Sequence, residues 1–385
     1  LTGVLKFIAL TIMLVTVTAS SGAHAAGLAH GPSAAATAML RPPRQVNQPN
    51  AIEIRADAFG IPLTDHESAR AYGKPAVYLR EGETFTVTVP IEEEGPYTVS
   101  FDVAAPDSFL VPPEGQLLVD GAFPSEASPR IIFPVFYQNS REDFPLDRYG
   151  NEALIRQETL VRWTNVAMRD ASFSQRYPLQ VHLTPGEHSF EFQLTEESLL
   201  LGSIYLEPFT PYPTHDDYLQ ANQAPDASDV LIEIEAEHPS FKNNTAIRPA
   251  NSRSLAVTPY HTSRLLLNTL GGEKWSRSGS TVYYEFTVPA DGMYAISLRA
   301  LQNVKNNFTV FRRITINGRV PFDELNVVPF NYSADWTNVT LGRGDVPYRI
   351  YLEEGVNVLG IEATDAPYRP AIEKITSVLL DINEL

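Results

Sequence analysis

The chain has no cysteine among its 385 residues. Disulfides, thiolate metal sites, a cysteine nucleophile and a lipid-modified cysteine anchor are therefore excluded. Basic side chains are scarce: 29 Lys and Arg face 46 Asp and Glu, a formal charge of 29 − 46 = −17. A negative field of that size repels phosphates, which argues against nucleic acid and anionic membrane surfaces as partners. Charged residues make up only 19%, and no apolar run after residue 17 approaches a membrane span. Motifs of nucleophilic, phosphate and zinc chemistry are also missing. There is no G-x-S-x-G elbow, Gly-rich phosphate loop or H-E-x-x-H pair, and the eight histidines are scattered. The chain therefore reads as non-catalytic. A glycosidase pair is defined by distance in space, so a β-sandwich polysaccharide-degrading enzyme stands as an alternative.

Proline is plentiful, at 30 residues, and suits a turn-rich β protein. At the N-terminus Lys6 precedes an apolar run from Phe7 to Val17, and Ala23-His24-Ala25 forms an A-x-A cleavage motif. This pattern reads as a signal peptide over 1–25 and export from a bacterial cell, so the expected location is secreted or cell-surface. Residues 26–50, rich in Ala, Gly, Pro and Gln, read as a flexible leader.

The strongest signal is internal repetition. Ile52-Glu53-Ile54-Arg55-Ala56-Asp57 resembles Ile232-Glu233-Ile234-Glu235-Ala236-Glu237. Thr88-Val89-Pro90 resembles Thr287-Val288-Pro289, Gly95-Pro96-Tyr97 resembles Gly292-Met293-Tyr294, and Val119-Asp120-Gly121 resembles Ile316-Asn317-Gly318. Trp163-Thr164-Asn165-Val166 recurs as Trp336-Thr337-Asn338-Val339, and Leu183-Thr184-Pro185-Gly186 matches Leu352-Glu353-Glu354-Gly355. The offsets are 180, 199, 197, 197, 173 and 169, so order is kept while loops differ in length. Within each copy the period is two, as in Val282, Tyr284, Phe286 and Val288, with Asp-Gly and Asn-Gly turns between strands. The fold class is all-β: two tandem antiparallel β-sandwich (jelly-roll) domains over 51–207 and 230–385, joined by a Pro- and acid-rich linker over 208–229. A helix is expected only near Asn151 to Val161.

The second copy runs Ile-Glu-Ala-Glu, Val-Pro-x-x-Gly-x-Tyr, an Asn-Gly turn, Trp-x-x-Val, Leu-x-x-Gly-x-Asn and a closing Leu-Asp-Ile. This series resembles the galactose-binding-like jelly rolls of family 6/35-type carbohydrate-binding modules, over nearly all of 231–385 and more faintly over 52–207. The tandem arrangement also looks like the N-terminal part of some Gram-positive secreted sugar-import solute-binding proteins. That implies, as a second reading, a missing C-terminal solute-binding or catalytic domain.

The resemblance implies an oligo- or polysaccharide ligand and structural Ca2+. Glu235 and Glu237 lie two apart, on one face if both are in a strand, and Asp381 is expected on a closing strand nearby. Solvated acids on an exposed strand are the competing reading. The first copy has Arg55 in place of Glu235 and Gly202-Ser203 where Asp381 would stand, which suggests that it has replaced the ion with Arg55. For the sugar, a flat aromatic and amides are needed. Trp275 in the loop Gly271–Gly279 and Tyr332 are the expected aromatics, with Asn303, Asn306 and Asn307 as hydroxyl partners or turn formers. Trp163 and Trp336, recurring at one place, are read as core, while Tyr137, Asn139 and Tyr149 are weaker candidates in the first copy.

Overall fold

Alternation along the chain becomes burial on one face of a sheet. In the strand Thr84–Ile91, Phe85, Val87, Val89 and Ile91 are buried while Thr84, Thr86, Thr88 and Pro90 are exposed. The computed structural model describes residues 10–18, 26–28, 51–106, 111–125, 128–227, 230–304 and 306–383, with the backbone alone for 10–18, 26–28 and 380–383. Ala23–Ala25 and most of the leader 26–50 lie outside the described residues.

The chain divides into two compact units, Ala34–Phe136 with Thr159–Pro211, and Leu1–Ser33 with Tyr137–Glu158 and Tyr212–Leu385. The first unit is an antiparallel sandwich. One sheet runs Thr164–Ala167, Gly95–Ala104, Ser198–Pro208, Ile52–Ile54, with Gln180–Leu183 also beside Gly95–Ala104 and Val77–Arg80 beside Ser198–Pro208. The other runs Thr84–Ile91, Gly186–Glu196, Glu114–Val119, Ile131–Ile132. Val99, Phe101, Leu201 and Ile204 from one sheet meet Phe85, Val87, Phe190 and Phe192 from the other in a single buried cluster. Phe192 is fully buried, with ring centroids 5.6–6.1 Å from Phe85, Phe101 and Phe133.

The second unit repeats the plan. Gly292–Leu301 pairs with Leu10–Thr18, Thr337–Thr340 and Ile350–Leu352, and Leu10–Thr18 pairs in turn with Leu231–Glu235 and Thr269–Gly272. The facing sheet runs Gln157–Leu160, Phe136–Asn139, Phe241–Lys242, Thr281–Val288, Gly355–Thr364, Val310–Ile316, Val328–Phe330. Among the described residues the strand ladders are antiparallel in both units, except that Ala26–Leu28 lies parallel to Leu231–Glu235. Fine details recur. The Tyr97 hydroxyl donates to Glu93 O at 2.9 Å and that of Tyr294 to Ala290 O at 2.8 Å. Asp120 and Asn317 both take positive φ, 52° and 51°, before glycines at 78° and 83°, as a two-residue hairpin turn with both residues left-handed requires. Their side chains accept from Ser189 N and Val358 N, each at 2.8 Å.

Register corrects one match. Ile91 opposes Gly186 and Val288 opposes Gly355, so Val288 corresponds to Ile91 and not to Val89. A slip of two residues leaves every side chain on its own face, which is why the sequence match looked sound. Three expectations about helices are also corrected. Residues 151–161 hold no helix, and Gln157–Leu160 is a strand. The linker is ordered over His215–Ala221, a short helix capped by Thr214 Oγ1, which accepts from Asp217 N. His215 Nε2 accepts from Arg349 N at 2.9 Å and the Tyr218 hydroxyl from Tyr351 N at 3.1 Å, docking the segment onto the second sandwich. Finally, Arg369–Asn383 is helical where a closing strand was expected. Among the described residues no helix is long and apolar enough to cross a membrane.

Truncating a fully enclosed aromatic tests this packing. Phe192→Ala should destabilise the first sandwich by about 3–5 kcal/mol, read from urea unfolding. An unchanged midpoint would contradict the placement.

Candidate functional site

The strand Gly292–Leu301 runs out at one end of the second sandwich, and the residue after it organises that end. Gln302 is 1% exposed. Its Nε2 donates to Phe308 O at 2.7 Å, its Oε1 accepts from Val304 N at 3.1 Å, and its backbone O accepts from Ser333 N at 2.9 Å. Gln302 thus holds Val304 and Phe308 through its side chain and Ser333 through its backbone. A second tie runs from Thr309 Oγ1 to Asn331 Oδ1 at 2.8 Å, and the Tyr368 hydroxyl donates to Thr309 O at 2.6 Å. Asn307 adopts a left-handed φ of 62°, which Asn tolerates better than most residues.

This frame presents polar and aromatic groups to solvent together. Asn303, Asn306 and Asn307 are exposed, and so are Tyr332 at 40% and Phe308 at 47%. Four of the five expected binding residues therefore share one rim. Phe308 was missed because it follows three asparagines in a stretch read as a turn.

Trp275 is the correction. It is fully buried, its Nε1 donates to Ser280 O at 2.9 Å, and the Arg312 guanidinium carbon lies 4.8 Å over its ring. Arg312 Nη2 donates to Trp275 O at 3.0 Å and Nη1 to Phe311 O at 2.9 Å. Burial pulls this guanidinium down to about 9, still charged at neutral pH. The loop folds inward because a buried cation on a neighbouring strand needs the indole face and the loop carbonyls. Trp275 is a core residue and not a ligand platform. Trp163, also read as core, is buried and stacks on Tyr72 at 4.2 Å, whereas Trp336 is only half-buried before the edge strand Thr337–Thr340.

Glu235 ends its strand and Glu237 lies in the turn beyond it, 2% exposed. Oε2 of each is buried without a hydrogen-bond partner. Burial, then the charges of Glu235 and Glu152, push the Glu237 carboxyl up to about 9; Glu235 is also raised, by burial and then Glu233. Two orphaned carboxylate oxygens are a donor set that suits a hard cation. The third expected donor, Asp381, belongs to the helix Arg369–Asn383 and not to a closing strand. Among the described residues no three acidic or histidine side chains converge as a metal set.

On the same face of the first sandwich, Glu53 and Asp102, at the places of Glu233 and Arg299, are satisfied by neutral donors and lysine. Glu53 accepts from Lys74 Nζ and Ser203 Oγ, both at 2.7 Å, and Asp102 from the hydroxyls of Tyr72 and Tyr205, at 2.6 and 2.9 Å. Burial works to raise the Glu53 carboxyl, but Lys74, Ser203 and Tyr205 together hold it below its ordinary value. Arg55 is half-exposed and pairs with Asp57 at 3.3 Å. It points to solvent and not into an ion's place, which corrects the expectation that it substitutes for a metal. Of the weaker candidates, Tyr149 is 67% exposed beneath the Arg148 guanidinium, while Tyr137 and Asn139 are half-buried in a strand.

No protein-family profile matches the chain. No curated protein matches it either. Among solved structures, the Podospora anserina GH26-CBM35 β-(1,4)-mannanase aligns at TM-score 0.24 and 14% identity over 43% of this chain and 29% of its own. The C-terminal CBM6 of LamC, a laminarinase from Zobellia galactanivorans, aligns at 0.23 and 10% identity over 41% of this chain and 98% of its own. The catalytic domain of a GH87 α-1,3-glucanase in complex with nigerose aligns at 0.26 and 10% identity over 43% and 29%. The chain thus spans under a third of the two larger proteins. The sheet pairings, and not these alignments, carry the fold assignment.

The Glu237 carboxyl gives a pH test of its burial. Its folded value lies above its ordinary 4.5, so the folded state keeps a proton that the unfolded chain releases. Its contribution to stability is complete below about 4.5 and is lost as pH rises toward 9. In EDTA-treated protein, Glu237→Gln should lose less stability than the parent between pH 5 and 8. Equal slopes in urea titrations would contradict the burial.

Proposed function

We propose that this is an exported, non-catalytic carbohydrate-binding protein whose second sandwich binds an oligo- or polysaccharide at the rim of Asn303, Asn306, Asn307, Phe308 and Tyr332. The observation that carries the reading is the convergence of exposed aromatics and amides on a frame pinned by the buried Gln302. An apolar ring can cover the C–H face of a pyranose while amides exchange hydrogen bonds with its hydroxyls. The frame is ordered before ligand arrives, which lowers the cost of binding. Export is supported by the Lys6 to Ala25 pattern alone, and cleavage after Ala25 would remove the strand Leu10–Thr18 and leave its place between Leu231–Glu235 and Gly292–Leu301 to another segment.

A structural Ca2+ completes the proposal. Glu235 and Glu237 would hold it, with Asp381 as a further ligand if that residue reaches them. The ion would supply fixed positive charge that relieves two buried carboxylates, and no chemical step. The test is direct. Added Ca2+ should raise the melting temperature of EDTA-treated protein, by about 2.7 kcal/mol of stability at a hundredfold excess over Kd, and Glu237→Gln should abolish the gain. A melting temperature indifferent to both reagents would overturn the metal.

For the ligand, a glycan array should show binding that Tyr332→Ala and Phe308→Ala each weaken at least tenfold without shifting the melting temperature. Full binding by both variants would remove the rim from consideration. Release of reducing sugar from a bound polysaccharide would replace this reading with the hydrolase or lyase alternative.

A further inference from the structure

The two sandwiches close their central sheet differently. In the first, Ser198–Pro208 lies between Ile52–Ile54 and Gly95–Ala104 and also pairs with Val77–Arg80. In the second, the same position between Leu231–Glu235 and Gly292–Leu301, with Thr269–Gly272 alongside, is taken by Leu10–Thr18 from the other end of the chain.

The equivalence holds residue by residue. Ile204 opposes Ile54 and Phe101; Val15 opposes Ile234 and Leu298. Leu206 opposes Ile52 and Val99; Val17 opposes Ile232 and Ile296. Even the bulge recurs, between Leu201 and Ile204 in one and between Ile12 and Leu14 in the other. In the first sandwich the occupant follows directly on the strand Gly186–Glu196. Its counterpart Gly355–Thr364 is followed by the helix Arg369–Asn383, where Ile375, Val378 and Leu379 stand 50%, 48% and 37% exposed.

That helix carries the sequence of a strand. Val378, Leu380 and Ile382 alternate with Ser377, Leu379, Asp381 and Asn383, and Leu379-Leu380-Asp381-Ile382 follows Leu200-Leu201-Gly202-Ser203-Ile204 with the bulge shortened by one residue. We infer that the segment Ile375–Asn383 is a second occupant of the strand position held by Leu10–Thr18, so that the two ends of the chain compete to close the second sandwich. Two further observations favour it. As a helix the segment leaves β-branched and leucine side chains in water, and as a strand it buries alternate ones. In the matched register Asp381 stands where Leu14 now opposes both Glu235 and Arg299. Arg299 Nε is buried without a hydrogen-bond partner, and a carboxylate beside it would relieve that deficit.

The absence of native cysteine makes the test clean. Thr16 now opposes Ser297, and Asn383 would take its place. The full chain carrying Ser297→Cys with Asn383→Cys is oxidised mildly, with and without Val15→Pro, which removes a ladder donor from the present occupant. A disulfide yield at least tenfold higher with Val15→Pro supports the exchange, as does a high yield in both backgrounds, and Leu380→Pro should remove the disulfide in either. The inference fails if neither background cross-links, or if Val15→Pro abolishes cooperative unfolding of the second sandwich, because then nothing replaces the lost strand.

Discussion

The structure turns on one backbone requirement. The strand Gly292–Leu301 packs Tyr294, Ile296, Leu298 and Ala300 into the core, and its amides and carbonyls must be paired along both edges. One edge is covered by Thr337–Thr340 and Ile350–Leu352. The other needs a strand in a fixed register, with a bulge at a fixed place, and in the uncleaved chain Leu10–Thr18 fills it in the geometry that Ser198–Pro208 shows in the first sandwich. An open edge there would leave a row of unpaired groups beside buried side chains. The rim loops hang from the far end of this strand, so the candidate ligand site depends on the same closure.

The two copies also solve one electrostatic problem with opposite charges. At the outer face of the first sandwich, Asp102 and Glu53 are satisfied by tyrosines, Ser203 and Lys74. At the matching positions of the second stand Arg299 and Glu233, with Glu235 and Glu237 close by in the chain. Arg299, Glu235 and Glu237 each keep a buried polar atom without a partner. One face is thus self-sufficient, while the other keeps buried polar atoms whose desolvation nothing among the described residues offsets.

Much of this was legible in the sequence, because the period of two and the paired turn signals are local properties. Phe85 to Ile91 and Val282 to Val288 alternate as read, and Asp120-Gly121 and Asn317-Gly318 turn as read. The rim was legible in part: three asparagines and Tyr332 cluster at strand ends. Trp275 was not, because its burial is decided by Arg312, 37 residues away, and no local pattern announces a buried guanidinium. The linker helix was hidden for a similar reason. His215 and Tyr218 look like isolated polar and aromatic residues until Arg349 and Tyr351 supply their donors. The segment Ile375–Asn383 shows where local and long-range preferences part, since its alternation favours a strand and its structure here is a helix.

Amide hydrogen exchange of the full chain tests the closure most directly. Peptides covering 293–301 should be as strongly protected as those covering 96–104, since both strands are paired along both edges. Exchange of 293–301 at the rate of an open sheet edge, with 96–104 still protected, would show that the second sandwich lacks its middle strand and would contradict the account.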